Sequence, residues 1–362
     1  MNRSAIILIF VFMLGVTFKS KCQDYIKYHQ SIANAERKIF VENKIVDGLA
    51  LYVKTFENYD FIFLQDCVTA MQIALMLNDE NKFIVLITKG AKNGLLLRHL
   101  TAIRYINTHP IFTKQKITVI EIIKQNRQFY LRRLDTAIVK EVYSLYAWDQ
   151  LEKNALLHET VPQYNLRYKN AINTTFKKFK EVIDRKGFPA DKLIGIDQND
   201  IQYELKTGRQ DLKVYYYKYK KEYRVKQEQF ELEEEFLAST LYFPILLHYE
   251  HQFSNYKLFN DSFFVSQIAK GNMHPKDVAS IYDMEYIVYP AKIPDISKGQ
   301  CFFGVGLLDT FFESHPLPTS DMIINNCRSK FFIPPIENDR LKYRFLKQHG
   351  MHAAWGWDGM RS

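Results

Sequence analysis

Two histidines, His248 and His251, flank Glu250 within residues 246–253 and are the side chains of the chain best suited to chemistry. Because they are three residues apart, a helix would project both from one face, roughly one turn apart. Imidazole can bind a transition metal or move a proton near neutral pH. The spacing is therefore compatible with a metal site, an acid–base site, or two structural histidines on a packed helix.

A metal site would need more than these two histidines. Zinc takes three or four ligands at about 2 Å, and the sequence offers Asp283, His274 and Asp277 as further ligands, none at a diagnostic spacing. The metalloprotease motif His-Glu-x-x-His is absent, because the glutamate here directly precedes the second histidine. One alternative is therefore that His248 and His251 bind zinc together with another ligand.

A site without metal would use a histidine oriented by a carboxylate to transfer a proton. His248, His251 and Asp283 are the candidate catalytic residues of such a hydrolase. The structural alternative is that one histidine donates a hydrogen bond to a buried Asp283 and ties two helices together. The sequence lacks a Gly-x-Ser-x-Gly motif, a phosphate-binding loop, a Cys-x-x-Cys pair and a dinucleotide fingerprint, so we expect no cofactor.

The first 22 residues have the pattern of a secretion signal. A positive start at Arg3 is followed by an apolar run over residues 5–18 and by Ser20, a small residue near the predicted cleavage position. The run is shorter than the roughly 20 apolar residues that span a membrane. We therefore predict removal of residues 1–22 and a periplasmic or extracellular protein. A lipid anchor at Cys22 is the less favoured alternative, because Lys21 occupies the position where lipoprotein processing requires a small residue.

Composition predicts a folded protein with few constraints on its partners. The 362 residues are 47% hydrophobic and 25% charged, which is typical of chains that form a core. The net charge of +9 suits an anionic envelope or polymer surface without defining a function. Residues 213–226 mix Tyr with Lys and Arg and are followed by acidic residues 228–235, a pattern that favours a charged hairpin or helix over nucleic-acid binding.

Three cysteines remain after the predicted cleavage. In an oxidising compartment Cys301 and Cys327 could form a disulfide, which would leave Cys67 as a buried thiol within a helical apolar pattern. The alternative is that all three are reduced and buried.

Glycine and proline are scarce, at 14 and 11 residues, and apolar residues recur at helical spacing, which predicts an all-α fold. Residues 25–138 read as successive amphipathic helices, with breaks at residues 43, 58–60, 78–79 and 89–90. Ala35, Ala50, Ala70 and Ala74 resemble the small-residue positions of tetratricopeptide-like repeats. This predicts a repeat-like helical domain over residues 23–138, of a kind that binds protein segments.

The second half contains short motifs in a definite order: Asp149-Gln150, Asn173, Gly187-Phe188-Pro189, His248 with His251, Gly271, Asp283, Phe303-Gly304 and Arg328. Over residues 145–346 these resemble a bacterial domain family of unknown function found in exported proteins. The resemblance implies a helical domain, which we place at residues 139–346, followed by a tail over residues 347–362. Asp149, Asn173 and Arg328 become candidates for binding a substrate or partner.

The chain departs from that family at three places. Phe188 stands where the family usually has Trp, Met284 replaces an Arg, and residues 305–306 replace Thr-Gln. An activity that depends on that Arg or Gln is therefore not expected here.

Together these features favour an exported helical binding or scaffold protein whose partner is a protein or an envelope component. The alternative is a secreted or envelope hydrolase centred on His248, His251 and Asp283. We expect no nucleic-acid partner, and membrane attachment only through Cys22.

Overall fold

A computed structural model describes residues 23–154, 160–196, 239–253, 259–288, 301–304 and 319–351. These residues form fifteen α-helices and no β-strand, which confirms the predicted all-α class. The predicted signal segment, most of the tail and the basic and acidic segments of residues 213–235 lie outside the described ranges. Within those ranges no helix combines the length and apolar character needed to cross a membrane.

The helices, in chain order, are α1 Tyr25–Glu36, α2 Ile45–Glu57, α3 Leu64–Met76, α4 Glu80–Ala91, α5 Leu97–Ala102, α6 Arg104–Asn107, α7 Pro110–Arg133, α8 Thr136–Asn154, α9 Val161–Lys186, α10 Asp191–Ile194, α11 Ser239–Phe253, α12 Asp261–Ala269, α13 Pro275–Val288, α14 Asp321–Ser329 and α15 Ile336–Gln348. A π-helical turn, Arg37–Val41, continues α1.

The first four helices pack as two pairs, α1 with α2 and α3 with α4. Asp24 starts α1 by accepting a hydrogen bond from the Ile26 amide, and Asp79 caps α4 through the Lys82 amide. Asn43 and Asn78 adopt positive φ angles of 54° and 53° in the joints, a conformation that asparagine tolerates better than most residues. The breaks predicted at residues 43 and 78–79 thus coincide with real helix ends.

The small residue that lets α1 and α2 approach is Gly48, not Ala50. A Cβ atom on Gly48 would lie 2.3 Å from Ile39 Cγ1 and 2.8 Å from the Ala35 carbonyl oxygen, whereas Ala50 is exposed. The buried stripe of α2 is formed by Leu49, Tyr52, Thr55 and Phe56. Ala35, Ala70 and Ala74 are fully buried. The tetratricopeptide-like repeat itself stays a prediction.

Apolar side chains form two core clusters that meet along α7. The first runs from Tyr25 to Ile123 and also contains Leu346 of α15, while the second begins at Tyr130 and extends to Ile333. One 24-residue helix therefore contributes to both cores, and the last helix returns to the first one. The domain boundary at residue 138 stays a prediction.

A buried set of charges holds the C-terminal helices to the rest of the chain. Lys342 of α15 pairs with Glu36 of α1, and the Tyr52 hydroxyl donates to the same carboxylate at 3.1 Å. Asp339 of α15 pairs with Arg328 of α14, and Lys276 Nζ of α13 lies 3.5 Å from its other oxygen. An unpaired charge is costly in a protein interior, and each of these side chains is described next to a group of opposite charge.

Two of the three cysteines after residue 22 form a disulfide, and the third is a buried free thiol. Cys301 and Cys327 form a disulfide with their Cα atoms 5.6 Å apart. The Cys67 thiol is buried in α3 and donates to the Leu86 carbonyl oxygen at 3.4 Å. Burial raises the pKa of this thiol, which keeps it protonated and unreactive.

Candidate functional site

Helices α8, α9 and α11 pack against one another and bring together polar side chains from distant parts of the chain. α8 supplies Asp149 and Lys153, which are four residues apart and therefore share a face. α9 begins with a capping box in which the Thr160 amide donates to Gln163 Oε1 at 2.8 Å. His248 projects from α11 towards the end of α8.

His248 is held at both ring nitrogens. Its Nδ1 lies 2.7 Å from Asp149 Oδ2, and its Nε2 lies 3.2 Å from Lys153 Nζ. Ionised carboxylates only accept hydrogen bonds and ammonium groups only donate them. Both contacts therefore specify the same neutral tautomer, with the proton on Nδ1 and a lone pair on Nε2.

The pair is buried on one side and accessible on the other. Asp149 is 1% exposed, whereas the His248 side chain is 12% exposed and Lys153 is exposed. Gln150 Nε2 also donates to Asp149 Oδ2, at 3.0 Å. The carboxylate is thus fixed inside the protein while the Nε2 edge of the imidazole faces the solvent side.

Two polar atoms beside this pair have no hydrogen-bond partner within the described ranges, Asp149 Oδ1 and the Tyr168 hydroxyl, and both are buried. The Tyr168 ring meets His248 edge to face at 5.9 Å between centroids. Burial, and then the Asp149 charge, raise the pKa of Tyr168 well above its usual range, so the phenol stays protonated. Buried unsatisfied groups are rare in native proteins, and a hydroxyl donor with a carboxylate acceptor suits a small polar ligand.

An ion pair between α8 and α9 fixes the geometry beside the site. Arg167 of α9 pairs with the buried Glu152 of α8 and also donates to the Glu152 carbonyl oxygen at 3.0 Å. Tyr164, one turn before Tyr168, donates to the Lys153 carbonyl oxygen at 3.0 Å. These contacts join the end of α8 to the start of α9.

Asp283 and Arg328 both contact the backbone of Phe303. Asp283 is fully buried and accepts a hydrogen bond from the Phe303 amide at 2.8 Å. Arg328, also fully buried, donates to the carbonyl oxygens of Phe303 and Pro334, both at 2.6 Å, and pairs with Asp339. The two side chains therefore hold the backbone of Phe303, Asp283 at its amide and Arg328 at its carbonyl oxygen. The contact described for His248 is with Asp149, whereas the sequence predicted Asp283 as its partner.

The remaining predicted residues are placed separately. Asn173 lies half-buried on α9, and His251 lies on α11, with its side chain outside what the structure describes. Within the described part of the chain, no three His, Cys, Asp or Glu side chains converge in a way that could hold a metal ion. Zinc at the histidine pair stays a prediction.

Another histidine pair, His29 and His274, was not predicted as a unit. The two buried rings meet at 4.9 Å between centroids, and His274 Nε2 lies 3.5 Å from Asp66 Oδ1. The Tyr28 hydroxyl donates to the other oxygen of Asp66 at 2.9 Å. Burial, and then the His274 charge, lower the pKa of His29. This cluster joins α1 and α3 to the start of α13, and no local spacing in the sequence indicates it.

Comparison with known proteins does not assign the chain to a family. No model of a known family, no curated protein and no solved structure matches the chain.

Proposed function

We propose that this is an exported helical protein that carries out metal-independent acid–base chemistry, of the hydrolase class, at His248. The observation that carries the proposal is the pair of contacts on its ring, Asp149 on Nδ1 and Lys153 on Nε2. A carboxylate that orients an imidazole, with a lone pair left on the outer nitrogen, is the arrangement of a general base.

The reaction would begin with a water molecule at the Nε2 edge. Nε2 takes a proton from the water as its oxygen attacks the substrate, and Asp149 stabilises the imidazolium that forms. The imidazolium then returns the proton to the leaving group. Lys153 is exposed, and rotation about its side-chain bonds would bring its ammonium group from Nε2 to the negative charge that develops on the substrate oxygen.

The same contacts argue against His248 as a metal ligand. A metal would have to bind Nε2, the only ring nitrogen that does not face the carboxylate, and an ammonium group lies 3.2 Å from that atom. A metal at Nε2 would have to displace this ammonium group and find further ligands, and within the described residues no three His, Cys, Asp or Glu side chains converge on one point. The metal-dependent form of the hydrolase is therefore the weaker proposal.

A binding or scaffold function would be supported by a continuous apolar groove on the N-terminal helices. The strongly exposed apolar side chains described there include Val46 on α2 and Ile117 and Phe129 on α7. Ile117 and Phe129 are twelve residues apart, which places them about 120° apart around the helix axis. Such scattered apolar residues are normal on protein surfaces. No specific observation therefore favours this function over the acid–base site.

The test combines a spectroscopic measurement with an activity screen. Nitrogen NMR of the imidazoles should show His248 at pH 7 with its proton on Nδ1, and Asp149→Asn should abolish this preference. Purified protein is then tested on chromogenic esters, phosphates, glycosides and peptides. We expect turnover of one class that falls by about 100-fold or more in His248→Asn, the usual contribution of a general base.

His349→Asn is the matched control, because His349 is exposed and the hydrogen bond described for its ring is a local one, to the Phe345 carbonyl oxygen of the preceding helix. It should leave turnover unchanged. Equal turnover in His248→Asn and wild type, or no turnover of any class together with a loss of thermal stability in His248→Asn, would show that the histidine is structural.

A further inference from the structure

A groove of about 570 Å³ lies between the C-terminal end of α9 and one face of α12. The α12 side presents Phe263, Ser266, Gln267 and Lys270, which share a face because they are three or four residues apart. Pockets of this size accommodate small organic ligands. No step proposed for His248 uses this groove, since Tyr168, which contacts that histidine, is about 27 Å along α9 from Lys186 at the groove.

Amide groups in the groove are held in fixed orientations. Gln267 is 5% exposed, and its Oε1 accepts hydrogen bonds from the Phe188 amide at 3.0 Å and from Asn272 Nδ2 at 2.9 Å. These two bonds use Oε1 and orient the side chain, which lines the groove and keeps Nε2 as its donor. Asn260 is likewise fixed, because its Oδ1 accepts from the Phe263 amide at 2.8 Å.

The shape of the groove depends on a glycine in the Gly187-Phe188-Pro189 motif. Gly187 has a φ angle of 92°, and a Cβ atom there would lie 2.4 Å from Asn272 Nδ2. Only a residue without a side chain therefore lets Asn272 close this end of the groove against Gln267. The motif serves the groove wall as well as the end of α9.

One aromatic ring lines the groove. Phe263 stacks on the buried Phe259, with centroids 4.4 Å apart and the planes 19° from parallel. This contact covers one face of the ring and fixes its position at the wall. A rigid, half-buried aromatic ring among amides and hydroxyls can pack against the C–H face of a sugar.

The cationic side chains at the groove are largely neutralised by acids outside it. Both oxygens of Glu141 accept from Arg185 at 2.7 Å, and Asp135 lies 3.1 Å from Lys186. Lys270 and Asp184, which both line the groove, contribute charges of opposite sign. The lining therefore favours a neutral ligand over an anion.

We propose that this groove binds a neutral oligosaccharide. Sugar hydroxyls both donate and accept hydrogen bonds, and the groove offers the amides of Asn260, Gln267 and Asn272 together with the hydroxyls of Ser262 and Ser266. Phe263 supplies the apolar surface for a pyranose face. The polar groups set the orientation of the ligand, while the aromatic contact contributes buried area.

In the test, the mature protein is titrated with cellotetraose, chitotetraose, maltotetraose and mannotetraose. Binding is measured by ligand-observed NMR and by calorimetry. A tetramer of galacturonic acid serves as the acidic comparison. We expect one neutral tetrasaccharide to bind with a Kd below about 1 mM. Ser266→Trp, which fills the groove without removing any packed side chain, should weaken this binding by about tenfold or more.

Ser329→Trp is the matched control, because Ser329 is an exposed serine on α14 outside the groove. It and His248→Asn should both keep the wild-type Kd, so that this proposal and the acid–base proposal fail separately. Binding of the acidic tetramer alone, absence of binding by all four neutral sugars, or binding that Ser266→Trp leaves unchanged would overturn the assignment.

Discussion

Replacing Asp339 with Asn removes a carboxylate that two buried cations share. Arg328 is fully buried and Lys276 is 12% exposed, and both face Asp339. Asparagine keeps the shape of the side chain but leaves the two cations without that negative charge. Breaking one partner of a buried ion pair costs about 3–5 kcal/mol, so we expect a loss of that size in the free energy of unfolding.

The structure provides a matched control in the same two helices. Asp321 of α14 and Arg340 of α15 form a second Asp–Arg pair between α14 and α15, with side chains 39% and 29% exposed. Solvent screens this pair, so Asp321→Asn should cost about 0–1 kcal/mol. The two substitutions change the same chemical group, and burial is the main difference between them.

Urea unfolding followed by circular dichroism measures both effects. With a slope of about 3 kcal/mol per molar urea, Asp339→Asn should lower the unfolding midpoint by about 1–1.7 M, whereas Asp321→Asn should lower it by about 0.3 M or less. Equal shifts for the two variants would mean that the buried charges are solvated or repaired by rearrangement, and the reasoning from burial would then be wrong.

Four further predictions follow from named groups. Gly187→Ala should destabilise the protein by more than about 1 kcal/mol in urea unfolding, because its Cβ would clash; Gly350→Ala, with φ 64° and nothing within 4 Å, should cost less. Burial raises the pKa of the Cys67 thiol, so a thiol reagent should label Cys67 only in denaturant. Burial alone would raise the pKa of Asp339, but the two cations lower it overall. The ionised carboxylate should therefore contribute fully to stability above about pH 4 and lose this contribution at lower pH, and urea unfolding of Asp339→Asn should not show this pH dependence. Burial lowers the pKa of His29, so its neutral form stabilises the fold above about pH 6.5 and this stabilisation decreases at lower pH; His29→Gln should show a smaller decrease in the urea midpoint between pH 7 and 5.

Local sequence patterns were sufficient for the class of the fold and for many of its joints. Helical spacing and scarce glycine predicted an all-α chain, and the asparagines at positions 43 and 78 marked two helix ends. These features depend on residues within a few positions of one another. The sequence alone did not show which small residue faces a neighbouring helix. We predicted Ala50, whereas Gly48 makes the close contact with α1.

The pairing of side chains across the chain was decided by tertiary structure alone. The sequence predicted Asp283 as the carboxylate partner of the histidine and Asp149 as a binding residue, whereas the structure pairs His248 with Asp149. The contact between His248 and Asp149 joins residues 99 positions apart, and it exists because α8 and α11 pack side by side. The angle and distance between two packed helices arise from many side chains acting together. The sequence by itself therefore determined helices and candidate residues, and only the packed structure determined which of them meet.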